Sequence, residues 1–212
     1  MRFGIFIYPG VEPIDLATFG VLSMARRIVP AIEIVTIAPA AGQVVLANGL
    51  KVIADHGVDD APGCDIVIVT GGPGWVEQAA NPATLAYLRR VAQNGKLASV
   101  CTGAMILAAS GVLDGSRATT KRAVVAPEES PLGVMERTYP AISVQEASLV
   151  DDGAIVTGGG VSLCIDATLH ILAAMAGEAA ARETARIIEY DRAWAANLAA
   201  FPPLLGAVPS EV

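Results

Sequence analysis

The chain has 212 residues, of which 53% are hydrophobic and 17% are charged, a composition that excludes a disordered chain and suits one domain spanning residues 1–212. A net charge of −7 argues against nucleic acid as a partner, because phosphate binding requires clustered lysine and arginine. No uncharged apolar run approaches the ~20 residues that a membrane span needs, so we expect no membrane partner and a small molecule as ligand.

The cysteine and histidine content indicates a reducing compartment. Cys64, Cys101 and Cys164 are too few and too widely spaced for a disulfide framework. His56 and His170 are the only histidines, and no Cys/His spacing typical of a metal site is present. The N-terminal apolar run is interrupted too early for a signal peptide. We therefore expect a cytoplasmic protein without a metal.

In chain order, strand patterns and helix patterns alternate. In the first half, strands are predicted at residues 2–8, 32–38 and 65–72, and helices at residues 14–28 and about 84–94. A hairpin that turns at Asn48-Gly49 is predicted at residues 43–55. In the second half, a strand is predicted at residues 97–100, and helices at residues 102–111, 161–177 and about 178–190. A hairpin that turns at 151–153 is predicted at residues 143–160, a loop near 126–132 and a tail after about 202. The alternation predicts an α/β fold, with a mostly parallel sheet and helices on both faces.

In such sheets ligands bind at the carboxyl ends of the strands, where this chain places Gly71-Gly72, Cys101 and Gly158 to Gly160. Cys101 stands where a predicted strand passes into a predicted helix. A helix N-terminus stabilises a thiolate and lowers a cysteine's pKa, so a reactive nucleophile is favoured slightly over an inert buried cysteine. The Gly71-Gly72 pair is also consistent with a simple tight turn.

The residue after the cysteine is Thr102 rather than a histidine, so a nucleophile here needs another acid–base group. Asp15 is the candidate, with Glu12 as a second carboxyl group in the same loop. A helix cap is an equally ordinary role for Asp15, and its spacing alone does not bring it to Cys101. His170 is better interpreted as a satisfied structural histidine.

The motifs "GIFIYPGVEPIDL", "DIVIVTGGPG", "SVCTGAMILAASGVLDGSRATT" and "VTGGGVSLCID" resemble the DJ-1/PfpI (ThiJ/PfpI) superfamily, and within it the isocyanide hydratase branch, over about residues 1–190. The resemblance implies a flavodoxin-like sandwich, a homodimer and a cysteine at a nucleophile elbow. It also implies a nucleophilic Cys101, a proton-carrying Asp15 and an adjacent Thr102. Backbone N–H groups at Gly71, Gly72 and Thr102 would stabilise an anion.

The activity implied by the resemblance is hydration of an isocyanide to an N-substituted formamide through a covalent thioimidate, with no metal or organic cofactor. The alternatives are a glyoxalase or amidase acting on another small electrophile, and a redox or ligand sensor that uses the same cysteine. Relatives tend to carry His-Trp where this chain has Lys121-Arg122, and residues 123–140 match them poorly. The absence of a basic helix-turn-helix in this sequence disfavours the AraC-type regulators that share the fold.

Overall fold

The computed structural model describes residues 1–206 and is built on one eight-stranded sheet. The strands of the chain are β1 (Arg2–Phe6), β2 (Glu33–Ala38), β3 (Gly42–Val45), β4 (Lys51–Ala54), β5 (His56–Gly57), β6 (Ile66–Val69), β7 (Lys96–Ser99), β8 (Arg117–Ala118), β9 (Ser143–Val144), β10 (Leu149–Asp151), β11 (Ile155–Gly158) and β12 (Leu204–Leu205). The main sheet has the order β12-β10-β11-β7-β6-β1-β2-β5. Its neighbouring strands are parallel except for the antiparallel pair β10–β11.

The helices form two packed groups around this sheet. They are α1 (Ala17–Ala25), α2 (Trp75–Ala79), α3 (Pro82–Asn94), α4 (Gly103–Ser110), α5 (Pro131–Thr138), α6 (Leu163–Ala176), α7 (Glu178–Ile187) and α8 (Asp191–Ala200). Helices α1, α6 and α7 pack on one another, and α4 packs on α2 and α3. No helix within residues 1–206 is both long and apolar enough to cross a membrane. The expected α/β fold, a mostly parallel sheet with helices on both faces, is confirmed.

The composition of the central strands explains their position. All four residues of β6, the sequence IVIV, are buried, as are four of the five residues of β1. A continuous apolar run of β-branched residues is typical of a parallel strand covered on both faces. The predicted hairpin around Asn48 is also present, because β3 and β4 pair antiparallel and Asn48 adopts the left-handed φ of 58° that such turns require.

Several elements differ from the sequence-based predictions. Helix α5 begins at Pro131 inside the region predicted to be a loop, with proline in the first helical turn, where its missing N–H costs nothing. The second hairpin is shorter than predicted, because β9 pairs in parallel with β8 and only β10 and β11 form the hairpin. Helices α2 and α8 were not predicted. The predicted tail begins with strand β12 and a glycine, and its residues 207–212 lie outside the described part of the chain.

The topology brings four loops to one edge of the sheet. Strands β11, β7, β6 and β1 are consecutive neighbours and run parallel, so the segments after their carboxyl ends meet at that edge. These segments carry Gly159, Cys101, Gly71 and Tyr8, followed by Asp15 in a 3-10 turn. The candidate site therefore forms where the sequence motifs converge.

Candidate active site

Cys101 occupies a sharp turn between β7 and α4. Its φ of 52° lies in the left-handed region, which a residue other than glycine adopts at a cost of about 1–3 kcal/mol. Two hydrogen bonds hold this conformation: the Cys101 N–H donates to Gly159 O at 3.0 Å, and the Thr120 hydroxyl donates to Cys101 O at 2.9 Å. The strand–nucleophile–helix elbow expected from the sequence is present.

Two glycines make room for the elbow. A Cβ on Gly103 would lie 2.1 Å from Val69 O, and a Cβ on Gly71 would lie 2.4 Å from Thr102 N and 2.8 Å from Cys101 Cβ. No side chain fits at such distances. The backbone after β6 can therefore contact the elbow directly.

Asp15 lies beneath this contact and is fully buried. Its Oδ2 accepts a hydrogen bond from the Gly71 N–H at 2.6 Å, while within residues 1–206 its Oδ1 has no hydrogen-bond partner. Burial, assisted by the charge of Glu12, raises the pKa of Asp15 to about 7 against the opposing effect of the hydrogen bond from Gly71. Asp15 is therefore a carboxyl group that exchanges its proton near neutral pH.

The Cys101 thiol is not acidified, contrary to the expectation based on the start of α4. Burial raises the pKa of the Cys101 thiol to about 12, and the negative charge of Asp15 adds to this rise. The N–H and hydroxyl of Thr102 and the charge of Lys121 lower the pKa, but by less. The helix start does favour the thiolate, yet a side chain that is only 2% exposed loses more from desolvation than it gains. At rest the sulfur is a thiol.

Thr102 links the elbow to the glycine turn. The Gly72 N–H donates to Thr102 Oγ1 at 2.8 Å, and the Thr102 hydroxyl lies 3.3 Å from its acceptor Gly72 O. Gly71 and Gly72 were expected to offer N–H groups to an anion, but in the structure these groups donate to Asp15 and to Thr102. Their role as anion donors stays a prediction, and it requires a change of partner when substrate binds.

Tyr8 belongs to the same cluster and was missed by sequence reasoning. Its buried hydroxyl donates to Thr70 O at 2.9 Å. Burial and the charges of Asp15 and Cys101 raise the pKa of Tyr8 well above its usual value, so the phenol stays neutral beside the reactive pair. The available signal was its position directly after β1, at the edge of the sheet where ligands bind.

A cavity of about 660 Å³ opens above Cys101, within the size range of small-molecule sites. Its lining consists of Glu12, Ile14, Gly72, Pro73, Trp75, Cys101, Thr102, Lys121, Val124, Glu128, Glu129, Pro131 and Val161. Asp15 is not part of this lining. Within residues 1–206, no cluster of three His, Cys, Asp or Glu side chains could hold a metal ion.

The segment that departs most from the expected pattern shapes this cavity. Lys121, Val124 and Pro131 all contribute to the wall, whereas Arg122 points elsewhere: it pairs with Glu146 at 2.8 Å and stacks on the Phe201 ring. Neither histidine reaches the cavity. His170 is satisfied, as predicted, by a contact of 2.8 Å between its Nε2 and Oδ2 of Asp151 rather than by its helical neighbour Asp166.

Comparison with known proteins finds relatives of this chain. The chain is 29% identical to isonitrile hydratase of Pseudomonas putida over 90% of this chain and 78% of that protein. It is 28% identical to the HTH-type transcriptional regulator GbdR of Pseudomonas aeruginosa, but it spans only 39% of the regulator's length. The solved structure of a ThiJ/PfpI family protein from Pseudomonas syringae matches with a TM-score of 0.77 at 24% identity, over 90% of this chain and 75% of that one. The model of the DJ-1/PfpI family matches residues 1–174, and the chain therefore belongs to the DJ-1/PfpI family.

Proposed function

We propose that this protein hydrates isocyanides to N-substituted formamides through a covalent thioimidate on Cys101. One observation carries the proposal: a cavity is lined by a thiol at a strained elbow, and Gly71, which packs against this elbow, donates a hydrogen bond to a buried carboxyl group with a pKa of about 7. General acid–base catalysis is most effective when the pKa of the catalytic group lies near the working pH. The pair supplies a nucleophile and a proton carrier without a histidine.

The reaction begins with transfer of the thiol proton from Cys101 to the Asp15 carboxylate. The thiolate attacks the terminal carbon of R–N≡C, and Asp15 returns the proton to that carbon, which gives R–N=CH–S–Cys101. Asp15, again a carboxylate, takes a proton from the water that adds to the same carbon and passes it to the nitrogen, which gives R–NH–CH(OH)–S–Cys101. Cleavage of the C–S bond then releases R–NH–CHO, and the proton of the carbon-bound hydroxyl group passes through Asp15 to the sulfur.

The similarity to isonitrile hydratase, over most of both chains, supports this chemistry. The regulators among the relatives support a second candidate, a ligand-binding module whose cavity recognises a small molecule without turnover. A glyoxalase or amidase activity would use the same thiol on another electrophile. Reversible oxidation as a redox sensor is disfavoured by the raised pKa of Cys101, because peroxide reacts with the thiolate rather than the thiol.

The test is turnover of an aryl isocyanide, with formamide quantified by NMR or mass spectrometry. We expect wild type to produce formamide and the Cys101→Ala variant to produce none. Cys64→Ala is the matched control, since Cys64 is a half-buried thiol outside the cavity lining, and it should retain the wild-type rate. Formamide production by Cys101→Ala would contradict the nucleophile, while the lack of turnover by wild type with intact binding of the isocyanide would favour the ligand-binding module.

We also propose that the protein acts as a homodimer. Ile14, at the mouth of the cavity, is 46% exposed, and Ile53 on β4 is 67% exposed, so apolar surface is left for a second copy of the chain. Burial of Ile14 in a dimer would also restrict the access of water to the cavity.

A further inference from the structure

Lys121 and Cys101 approach the same point in the cavity. A Cβ placed on Gly160 would lie 2.9 Å from both Cβ and Cγ of Lys121 and 3.1 Å from Cys101 Sγ. Because Gly160 has no side chain, the stem of the lysine packs close to the sulfur. Both residues line the cavity.

Most titratable groups around the sulfur are acidic or neutral. Asp15, Tyr8 and the buried thiol Cys164 interact with it electrostatically, and three glutamates, Glu12, Glu128 and Glu129, line the cavity. Among the described residues of the lining, Lys121 alone carries a positive charge. Its ammonium group donates to Ala123 O, and two of its three N–H donors remain available.

The backbone N–H groups of the glycine turn, which were expected to stabilise an anion, already have hydrogen-bond partners. The N–H groups of Gly71 and Gly72 donate to Asp15 and Thr102, so they are not free to meet negative charge that develops at the sulfur. The N–H and hydroxyl of Thr102 do lower the pKa of the Cys101 thiol, but burial outweighs them, which leaves a role for a neighbouring cation. A lysine suits it, because its charge sits at the end of a flexible stem that can follow the reacting group.

We propose that Lys121 is the cationic partner of Cys101, and that its ammonium group stabilises the thiolate that forms when Cys101 gives up its proton, before the sulfur attacks an electrophile. This role rests on the nucleophilic cysteine of the proposed function but not on the identity of the electrophile. In agreement with it, the charge of Lys121 lowers the pKa of the Cys101 thiol against the effect of burial.

The experiment measures alkylation of Cys101 by neutral iodoacetamide and by anionic iodoacetate, followed by peptide mass spectrometry at pH 8. The variants are Lys121→Gln, Lys121→Arg and the control Arg122→Gln, which removes the same charge one residue away from a side chain outside the cavity lining. Cys64 in the same samples serves as an internal reference for reagent and protein quality. Circular dichroism confirms that each variant is folded.

We expect Lys121→Gln to slow iodoacetamide alkylation of Cys101 by about tenfold, since a rise of one pKa unit lowers the thiolate fraction tenfold. Iodoacetate should lose more than iodoacetamide, while Lys121→Arg and Arg122→Gln should stay near wild type. Equal rates in Lys121→Gln and wild type, or an equal loss in Arg122→Gln, would overturn the proposal. If Lys121→Gln does not fold, Lys121→Met is measured instead, and a wild-type rate of alkylation in that variant overturns the proposal. If neither reagent modifies Cys101, the result contradicts its role as a nucleophile. If alkylation is normal but no isocyanide is turned over, the result refutes only the proposed hydratase activity.

Discussion

Replacement of Asp15 by asparagine should move the reactivity of Cys101 and the rate of turnover in opposite directions. The amide oxygen can still accept the hydrogen bond that Asp15 receives from the Gly71 N–H at 2.6 Å, so the local geometry is retained. The negative charge that raises the pKa of the Cys101 thiol is removed, and so is the group that carries the proton. The pKa of the Cys101 thiol should therefore fall, while the proposed catalytic cycle loses the carboxyl group that serves as its acid and base.

The magnitudes follow from these two roles. One unit of thiol pKa corresponds to a tenfold change in thiolate, so at pH 8 we expect Asp15→Asn to be alkylated by iodoacetamide about tenfold faster than wild type. Loss of a general acid–base group should lower kcat for isocyanide hydration by about 10²–10⁴-fold. Alkylation that slows in the variant would refute the charge argument, and unchanged turnover would remove Asp15 from the mechanism.

The pH dependence of the free energy of unfolding gives a second, independent test of Asp15→Asn. The pKa of Asp15 is about 7 in the folded protein and 3.8 for an ordinary aspartate, so between these values the folded state holds a proton that the unfolded state releases. Stability from this group must then fall as the pH rises from about 4 to 7, by roughly 4 kcal/mol at 1.36 kcal/mol per unit. Asp15→Asn should lose that pH dependence and be the more stable protein at pH 8. The gain stays below 4 kcal/mol, because the amide N–H donors have no buried acceptor. Urea denaturation at pH 5 and pH 8 checks this, and an identical pH dependence in both proteins would contradict it.

Three further substitutions test the elbow and the proposed dimer. Thr102→Val leaves the Gly72 N–H without its acceptor, so we expect a loss of about 1–3 kcal/mol in urea denaturation and slower alkylation of Cys101. Gly71→Ala places a methyl group 2.4 Å from Thr102 N and should abolish turnover, while Gly63→Ala, where nothing lies within 4 Å, serves as the unaffected control. Ile53→Asp should convert a dimer into a monomer in analytical ultracentrifugation, and a wild type that sediments as a monomer would remove this interface.

The sequence predicted the sheet well because its central strands are long apolar runs between glycine and proline punctuation. The sequence IVIV of strand β6 predicts a buried strand, and all four of its residues are buried. Cys101 after β7 indicated the position of the elbow. Helix α5 was missed because its first residue is Pro131, in a stretch with several prolines, and proline predicts both a loop and the first turn of a helix. Helix α8 is short and is anchored by a contact distant in sequence, from Asn197 to Asp166, which no local pattern reveals.

The sequence located Cys101, Thr102 and Gly71-Gly72 at this edge of the sheet, but it missed Tyr8 and did not reveal the electrostatics of the cluster. The sequence placed Cys101 at a helix start, from which a low thiol pKa follows if the sulfur meets water. Burial depends on how four loops close over the sulfur, and no local pattern contains that information. The same holds for Asp15, whose contact with the elbow passes through Gly71. Lys121 was noted only as a departure from relatives, and its position beside the sulfur depends on the packing of Gly160.

A resting thiol beside a carboxylate is compatible with catalysis at ordinary rates. The gap between a thiol pKa of about 12 and a carboxyl pKa of about 7 corresponds to roughly 7 kcal/mol for moving the proton from Cys101 to Asp15. This is an upper limit, because the transfer neutralises the Asp15 charge that helped to raise the thiol pKa. A turnover of about 10 s⁻¹ allows a total barrier of roughly 16 kcal/mol, so more than half remains for carbon–sulfur bond formation. In the proposed mechanism the thiolate exists only transiently, and between turnovers the sulfur stays in its less oxidisable thiol form.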